Sequence, residues 1–209
     1  MIEELKQAII DGDTDEAQEF TENALADGIE ATQLVDEALV PAMDEVANLW
    51  QEGEYFMSDV ILSANAFGVA MELITPALAA SGLQPHGKIL IGVVEGDLHD
   101  LGKDIVVAML RANNFEVVDL GIDVPLISFV DAVRTEKPDI LGIGAYMSTT
   151  MPDMKSVIDA ITEAGLRDEL KVIVGGVCVT EALAENYGAD AYGGDAMQTV
   201  SLAKKFLEV

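Results

Sequence analysis

The chain has 209 residues, half of them hydrophobic, long enough for one large domain or two small ones around a sizeable core. Eleven Lys and Arg stand against 38 Asp and Glu, a formal net charge of −27, so no basic face is expected for nucleic acid or an anionic membrane. A single cysteine, Cys178, excludes an internal disulfide and a cysteine-cluster zinc site.

The N-terminal stretch MIEELKQAII is acidic and lacks the basic-then-apolar layout of a signal peptide. No apolar run is expected to reach the ~20 residues of a membrane span. The chain is therefore expected in the cytoplasm.

Residues 1–80 are predicted to form a small four-helix bundle. A short first helix covers IEELKQAII. Asp13 or Thr14 caps a second that runs to Leu25 and ends at Gly28. Leu34, Val35, Ala38, Leu39, Ala42, Val46, Leu49 and Trp50 recur at helical spacing in a third, closed by Gly53. Ser58 or Asp59 opens a fourth, which Pro76 is expected to bend. Residues 1–85 carry 18 acidic residues and one basic residue, Lys6. Such a surface can steer a basic partner or serve solubility alone.

Residues 81–87, SGLQPHG, read as the linker, with His86 a solvated loop histidine. From residue 88 to 209 the pattern changes. KILIGVV (88–94), FEVVDLG (115–121), DILGIGA (139–145), KVIVGG (171–176) and ADAYGG (189–194) are short apolar runs separated by helical stretches. Strands alternating with helices predict an α/β fold: a doubly wound, Rossmann-like parallel sheet of five strands in the flavodoxin-like order 2-1-3-4-5. The ligand crevice of such a sheet lies at the carboxyl ends of the first and third strands, where the winding reverses.

EGDLHDLGKDIV (95–106) follows the first strand and puts His99 at that point, with Asp97 two places before it and Asp100 directly after. The third strand delivers Ser148, Thr149 and Thr150 to the same rim, and glycines end the fourth and fifth strands, where a ligand can approach the backbone closely. A metal-bound imidazole usually gives its other ring N–H to a carboxylate, a role open to Asp97. The competing reading is a hydrated loop in which Asp100 only caps the next helix. Zinc would need further His or Cys ligands nearby. A hydrolase of Asp97, His99 and Ser148 would lack the G-x-S-x-G nucleophile turn, and no G-x-x-x-x-G-K-[ST] phosphate loop is present. A lone histidine at an open crevice suits a metal whose other positions come from a cofactor ring.

GDLHDLGKDIV resembles the D-x-H-x-x-G signature of cobalamin-binding domains, in the form found in methionine synthase and in methanogen or acetogen corrinoid proteins. The resemblance extends to residues 49–66, 113–125 and 173–196. It implies a corrinoid bound base-off, with His99 as lower cobalt ligand and Asp97 as its hydrogen-bond partner. Thr150 matches the serine that completes the relay in methionine synthase. Gly102 would open room for the nucleotide tail, and Gly175, Gly176 and Gly193 would line the same slot. The implied cofactor contacts further include Gly96, Leu98, Asp100, Gly144, Tyr146, Ser148 and Ala196. The helical half would be the cap over the corrin, with Phe56 packing on it. Two departures stand out: the family's S-x-L after the third strand is Gly144-Ala145-Tyr146 here, and Cys178 replaces a common proline.

The function so implied is that of a methyl carrier without independent catalysis. A substrate-specific methyltransferase loads it and a second methyltransferase unloads it to a folate or thiol acceptor, with a reductive activator as a further partner. Methylamines, quaternary amines, methanol, methoxylated aromatics and methyl thiols are the candidate donors. A cobalamin subunit of a radical mutase would share the signature but usually lacks the helical half. A cobalamin-dependent sensor would usually add a DNA-binding segment.

Overall fold

The computed structural model describes residues 1–81 and 85–209, so the linker expected at 81–87 lies partly outside the described residues. The chain divides into two compact units, Met1–Gln84 and Pro85–Val209.

The first unit is helical: α1 (Ile2–Asp11), α2 (Thr14–Ala26), α3 (Ala31–Leu34), α4 (Val40–Glu52) and α5 (Met57–Ser81). The Asp13 carboxylate accepts the Asp15 and Glu16 N–H groups and so fixes the start of α2. The third expected helix is interrupted between α3 and α4 by a π turn, Val35–Leu39, in which the Val40 N–H reaches the Val35 carbonyl. Pro41 follows at once; a proline ring clashes with the carbonyl four residues back in a regular helix, and a wider turn relieves that clash. Periodicity alone does not report such a turn.

Contrary to the sequence expectation, Met57–Leu78 is long and apolar enough to cross a membrane by length and composition. It serves the bundle core, where Val60, Ala66, Phe67, Ala70 and Ile74 are buried. Gly12, in the left-handed region at φ 72°, ends α1, and a Cβ there would lie 2.5 Å from Leu62 Cβ, so the end of α1 seats directly on α5.

The second unit is a five-stranded parallel sheet in the order β2-β1-β3-β4-β5. Its strands are β1 (Lys88–Val93), β2 (Glu116–Asp119), β3 (Ile140–Gly144), β4 (Lys171–Gly175) and β5 (Ala191–Gly193). The intervening helices are α6 (Leu101–Ala112), α7 (Leu126–Glu136), α8 (Met151–Glu163), α9 (Glu181–Tyr187) and α10 (Ala196–Leu207). Strand β1 lies between β2 and β3, with Leu90 opposite Val118 and Leu141. Ile89, Leu90, Ile140, Leu141, Val172 and Val174 are all buried, as a sheet covered on both faces requires. The winding reverses between β1 and β3, so the loops 94–100 and 145–150 share one rim.

His86 does more than sit in solvent: its N–H donates to the Asn114 carbonyl, and its ring meets the Phe115 ring edge-on at 5.7 Å.

Candidate cofactor site

The loop after β1 opens with Gly96 at φ +81°, a conformation that side chains resist, and its N–H donates to Asp123 Oδ1 at 2.7 Å. That turn sends Asp97 inward, to complete burial, and leaves the His99 side chain 57% exposed. Asp97 Oδ1 lies 2.7 Å from His99 Nδ1. A carboxylate can only accept, so Nδ1 carries the proton and Nε2 keeps its lone pair.

The second carboxylate oxygen is held from the loop that follows β3. Asp97 Oδ2 accepts the Tyr146 N–H at 2.7 Å, the Met147 N–H at 3.2 Å and the Thr150 hydroxyl at 2.7 Å. The His99 N–H adds a contact to Oδ1 at 3.3 Å. Burial pushes the Asp97 carboxyl up, but hydrogen bonds from Tyr146, Thr150 and His99 outweigh it and hold it down at about 2. Asp97 therefore stays ionised under any ordinary condition, and its charge orients one imidazole.

The remaining expected residues fall into distinct groups. Thr150 is buried, and its hydroxyl donates to Asp97. Ser148 is exposed, and its hydroxyl makes no hydrogen bond among the described residues, so the Asp97–His99–Ser148 hydrolase arrangement is not formed. Asp100 precedes α6 but its side chain makes no capping bond; only its carbonyl serves, accepting the Asp104 N–H. Leu98, 67% exposed, projects from the same loop. Ala196 opens α10 behind the cap formed by Asp195. Phe56, in the helical unit, is 73% exposed. Its N–H is accepted by Asp59, which caps the start of α5.

The glycines are required by close contacts within the chain itself. A Cβ on Gly175 would stand 2.8 Å from the Gly193 carbonyl oxygen, and one on Gly193 would stand 2.4 Å from Thr199 Oγ1. On Gly176, at φ +130°, it would fall 1.9 Å from the Ala145 oxygen. These residues let the strand ends close on one another and on α10. Gly102 likewise faces a protein group: a Cβ there would lie 2.6 Å from the Tyr146 hydroxyl oxygen.

Sequence reasoning missed Lys103. This buried lysine reaches Asp104 at 2.5 Å and Asp119 at 2.6 Å, tying the first turn of α6 to the end of β2. Burial favours its neutral form, but the two carboxylates more than compensate and raise its pKa. The available signal was a lysine within a helix whose following residues are nearly all apolar.

Among the described residues no group of three or more His, Cys, Asp or Glu side chains could hold a metal by itself. What the rim offers is one exposed imidazole with its acceptor nitrogen outward and its donor nitrogen anchored. That donor set fits a metal that brings its other ligands with it.

Two models described as B12 binding domains match the chain, one over residues 87–201 and the other over residues 1–75. The chain is 39% identical over 210 residues to a corrinoid protein of Desulfitobacterium hafniense, covering 99% of this chain and 97% of that one. It is also 39% identical over 211 residues to the trimethylamine corrinoid protein of Methanosarcina barkeri, covering 100% and 97%. Among solved structures, a cobalamin-binding protein of D. hafniense superposes with a TM-score of 0.77 at 34% identity, covering 99% of this chain and 98% of that one. The methanol:cobalamin methyltransferase complex MtaBC of M. barkeri gives 0.82 at 34% identity, covering 99% of this chain and 79% of the matched one. With a matching fold, the signature histidine at the switch point and family models over both halves, the chain belongs to the B12-binding family, in its corrinoid-protein branch.

Proposed function

We propose that this chain carries a methyl group between two methyltransferases on a corrinoid bound base-off, with His99 Nε2 as the lower ligand of cobalt. When bound, the corrinoid supplies a cobalt centre that accepts and releases a methyl group by in-line displacement. The protein's part is to hold one imidazole in one tautomer. The observation that carries the reading is the 2.7 Å contact of His99 Nδ1 with a fully buried Asp97. The Asp97 carboxylate fixes the tautomer and orientation of the ring, and Thr150 with the Tyr146 and Met147 N–H groups keeps the carboxylate from turning away. Gly96, Leu98 and Asp100 bring the loop around this ring, and Gly144, Tyr146 and Ser148 bound it from the end of β3 and the loop beyond it. The closed strand ends at Gly175, Gly176 and Gly193, with Ala196 behind them, form the wall of the slot. In the helical unit, the exposed Phe56 is the side chain available for contact with a corrinoid. Methylated amines and methanol, the compounds named for similar proteins, are the favoured donors. The loading partner is a donor-specific methyltransferase, the unloading partner delivers to a folate or thiol, and a reductive activator restores the reduced cofactor.

His99→Ala tests this directly. Its corrinoid should show an absorption spectrum distinct from that of the unsubstituted protein and lose methyl transfer by ~10–100-fold. An identical spectrum, with the cofactor's own base on cobalt in both, contradicts the assignment.

A further inference from the structure

Tyr146 stands where the family resemblance places leucine, and its ring spans the crevice. Its Oη, Cε1 and Cζ would lie 2.6, 2.7 and 2.9 Å from a Cβ on Gly102, in the first turn of α6. On the other side Cε2 would lie 3.5 Å from a Cβ on Gly144, at the end of β3. The ring centroid is 5.7 Å from that of His99, with the two planes tilted by 32°. The space left by the missing side chain of Gly102 is thus taken up by the phenol, whose other edge lies against Gly144. The Tyr146 main chain is fixed, because its N–H is bound to Asp97. Any clearing of that space has to come from rotation of the side chain alone. Burial, then Asp97 and Asp104, push the phenol up to about 12, so the ring is neutral. Its hydroxyl has no hydrogen-bond partner among the described residues, so turning it out breaks no bond to the protein.

We propose that Tyr146 is the group a corrinoid's lower nucleotide must displace on entering this slot, and that it sets how strongly the chain discriminates between corrinoids with and without that nucleotide. The inference rests on the base-off reading above, with the tail passing beside Gly102. A site whose competent form is a minor population binds more weakly by that fraction, and repacking around an overfilled position carries a comparable penalty. A corrinoid without a tail meets no such barrier.

The test is an absorbance titration of the apo protein with cobalamin and with cobinamide, which lacks the nucleotide. Tyr146→Leu should tighten cobalamin on the order of tenfold relative to cobinamide. Tyr146→Phe keeps the ring and should keep the unsubstituted ratio. An equal ratio in all three proteins overturns the inference while leaving corrinoid binding standing. Failure of both corrinoids to bind the unsubstituted protein overturns the base-off reading itself. If the leucine variant does not fold, proton NMR of the unsubstituted protein decides the matter. The cross-relaxation between the Tyr146 and His99 rings should survive cobinamide and vanish with cobalamin, and its survival with both overturns the proposal.

Discussion

The two units bury polar groups for different ends. In the helical unit, Thr21 donates to the Ala17 carbonyl one turn back, and Ser63 donates to the Ile10 carbonyl at the end of α1, where Tyr55 also donates. These bonds satisfy main-chain acceptors and stop there. In the α/β unit, Asp97, Thr150 and Lys103 bond to other side chains and to main-chain N–H groups, and Asp97 ends on an exposed imidazole. A buried ion is costly to desolvate, and its retention at a strand end marks a place where orientation matters more than stability. A buried hydroxyl bonded only to the main chain marks packing, whereas a buried carboxylate aimed at an exposed ring marks chemistry.

Substitutions should separate the two kinds of site by size of effect. Asp97→Ala strips the acceptor from five donors at once and should destabilise the protein by ~3–5 kcal/mol in urea unfolding, with loss of corrinoid binding. Acid should reveal the same group. The folded-state pKa of about 2 lies below the ordinary aspartate value, so Asp97 contributes stability above pH ~4 that is lost as pH falls toward 2. The loss amounts to about 2–3 kcal/mol, and in Asp97→Asn that part of the pH dependence should be absent. Lys103→Met should cost ~1–2 kcal/mol, since Asp104 and Asp119 retain access to water, and should quicken amide exchange in the first turn of α6. Ser63→Ala should cost ~1 kcal/mol and leave corrinoid affinity unchanged. An affinity loss at Ser63 equal to that at Asp97 would erase the distinction.

Strand order, element boundaries and the place of His99 were legible because each rests on periodicity or on a short spaced motif. KILIGVV and the other four runs lie within a residue or two of the observed strands, and all five follow the expected order. The Asp97–His99 pair was legible from spacing, and Thr150 from resemblance. What could not be read depends on main-chain geometry or on distant neighbours. The Tyr146 and Met147 N–H groups are donors that residue identity does not reveal. Ser148 and Thr150 are close in sequence and alike in chemistry, yet the turn into α8 buries only Thr150. The glycines at 102, 175, 176 and 193 signal close approach, but the approaching atoms belong to the chain itself. Lys103 was passed over because pairing with Asp119 requires knowing that α6 packs beside β2.

The central claim, that His99 is the lower ligand of cobalt, is tested most directly by electron paramagnetic resonance. The protein would be labelled with 15N-histidine and loaded with a cob(II) corrinoid carrying natural-abundance nitrogen. His86 is the only other histidine in the sequence and lies at the start of the α/β unit, beside Phe115. A nitrogen of His99 on cobalt should convert the superhyperfine triplets of the unlabelled protein into doublets, and His99→Ala should abolish the doublets. Triplets that persist unchanged in the labelled protein would place the cofactor's own base on the metal and contradict the account.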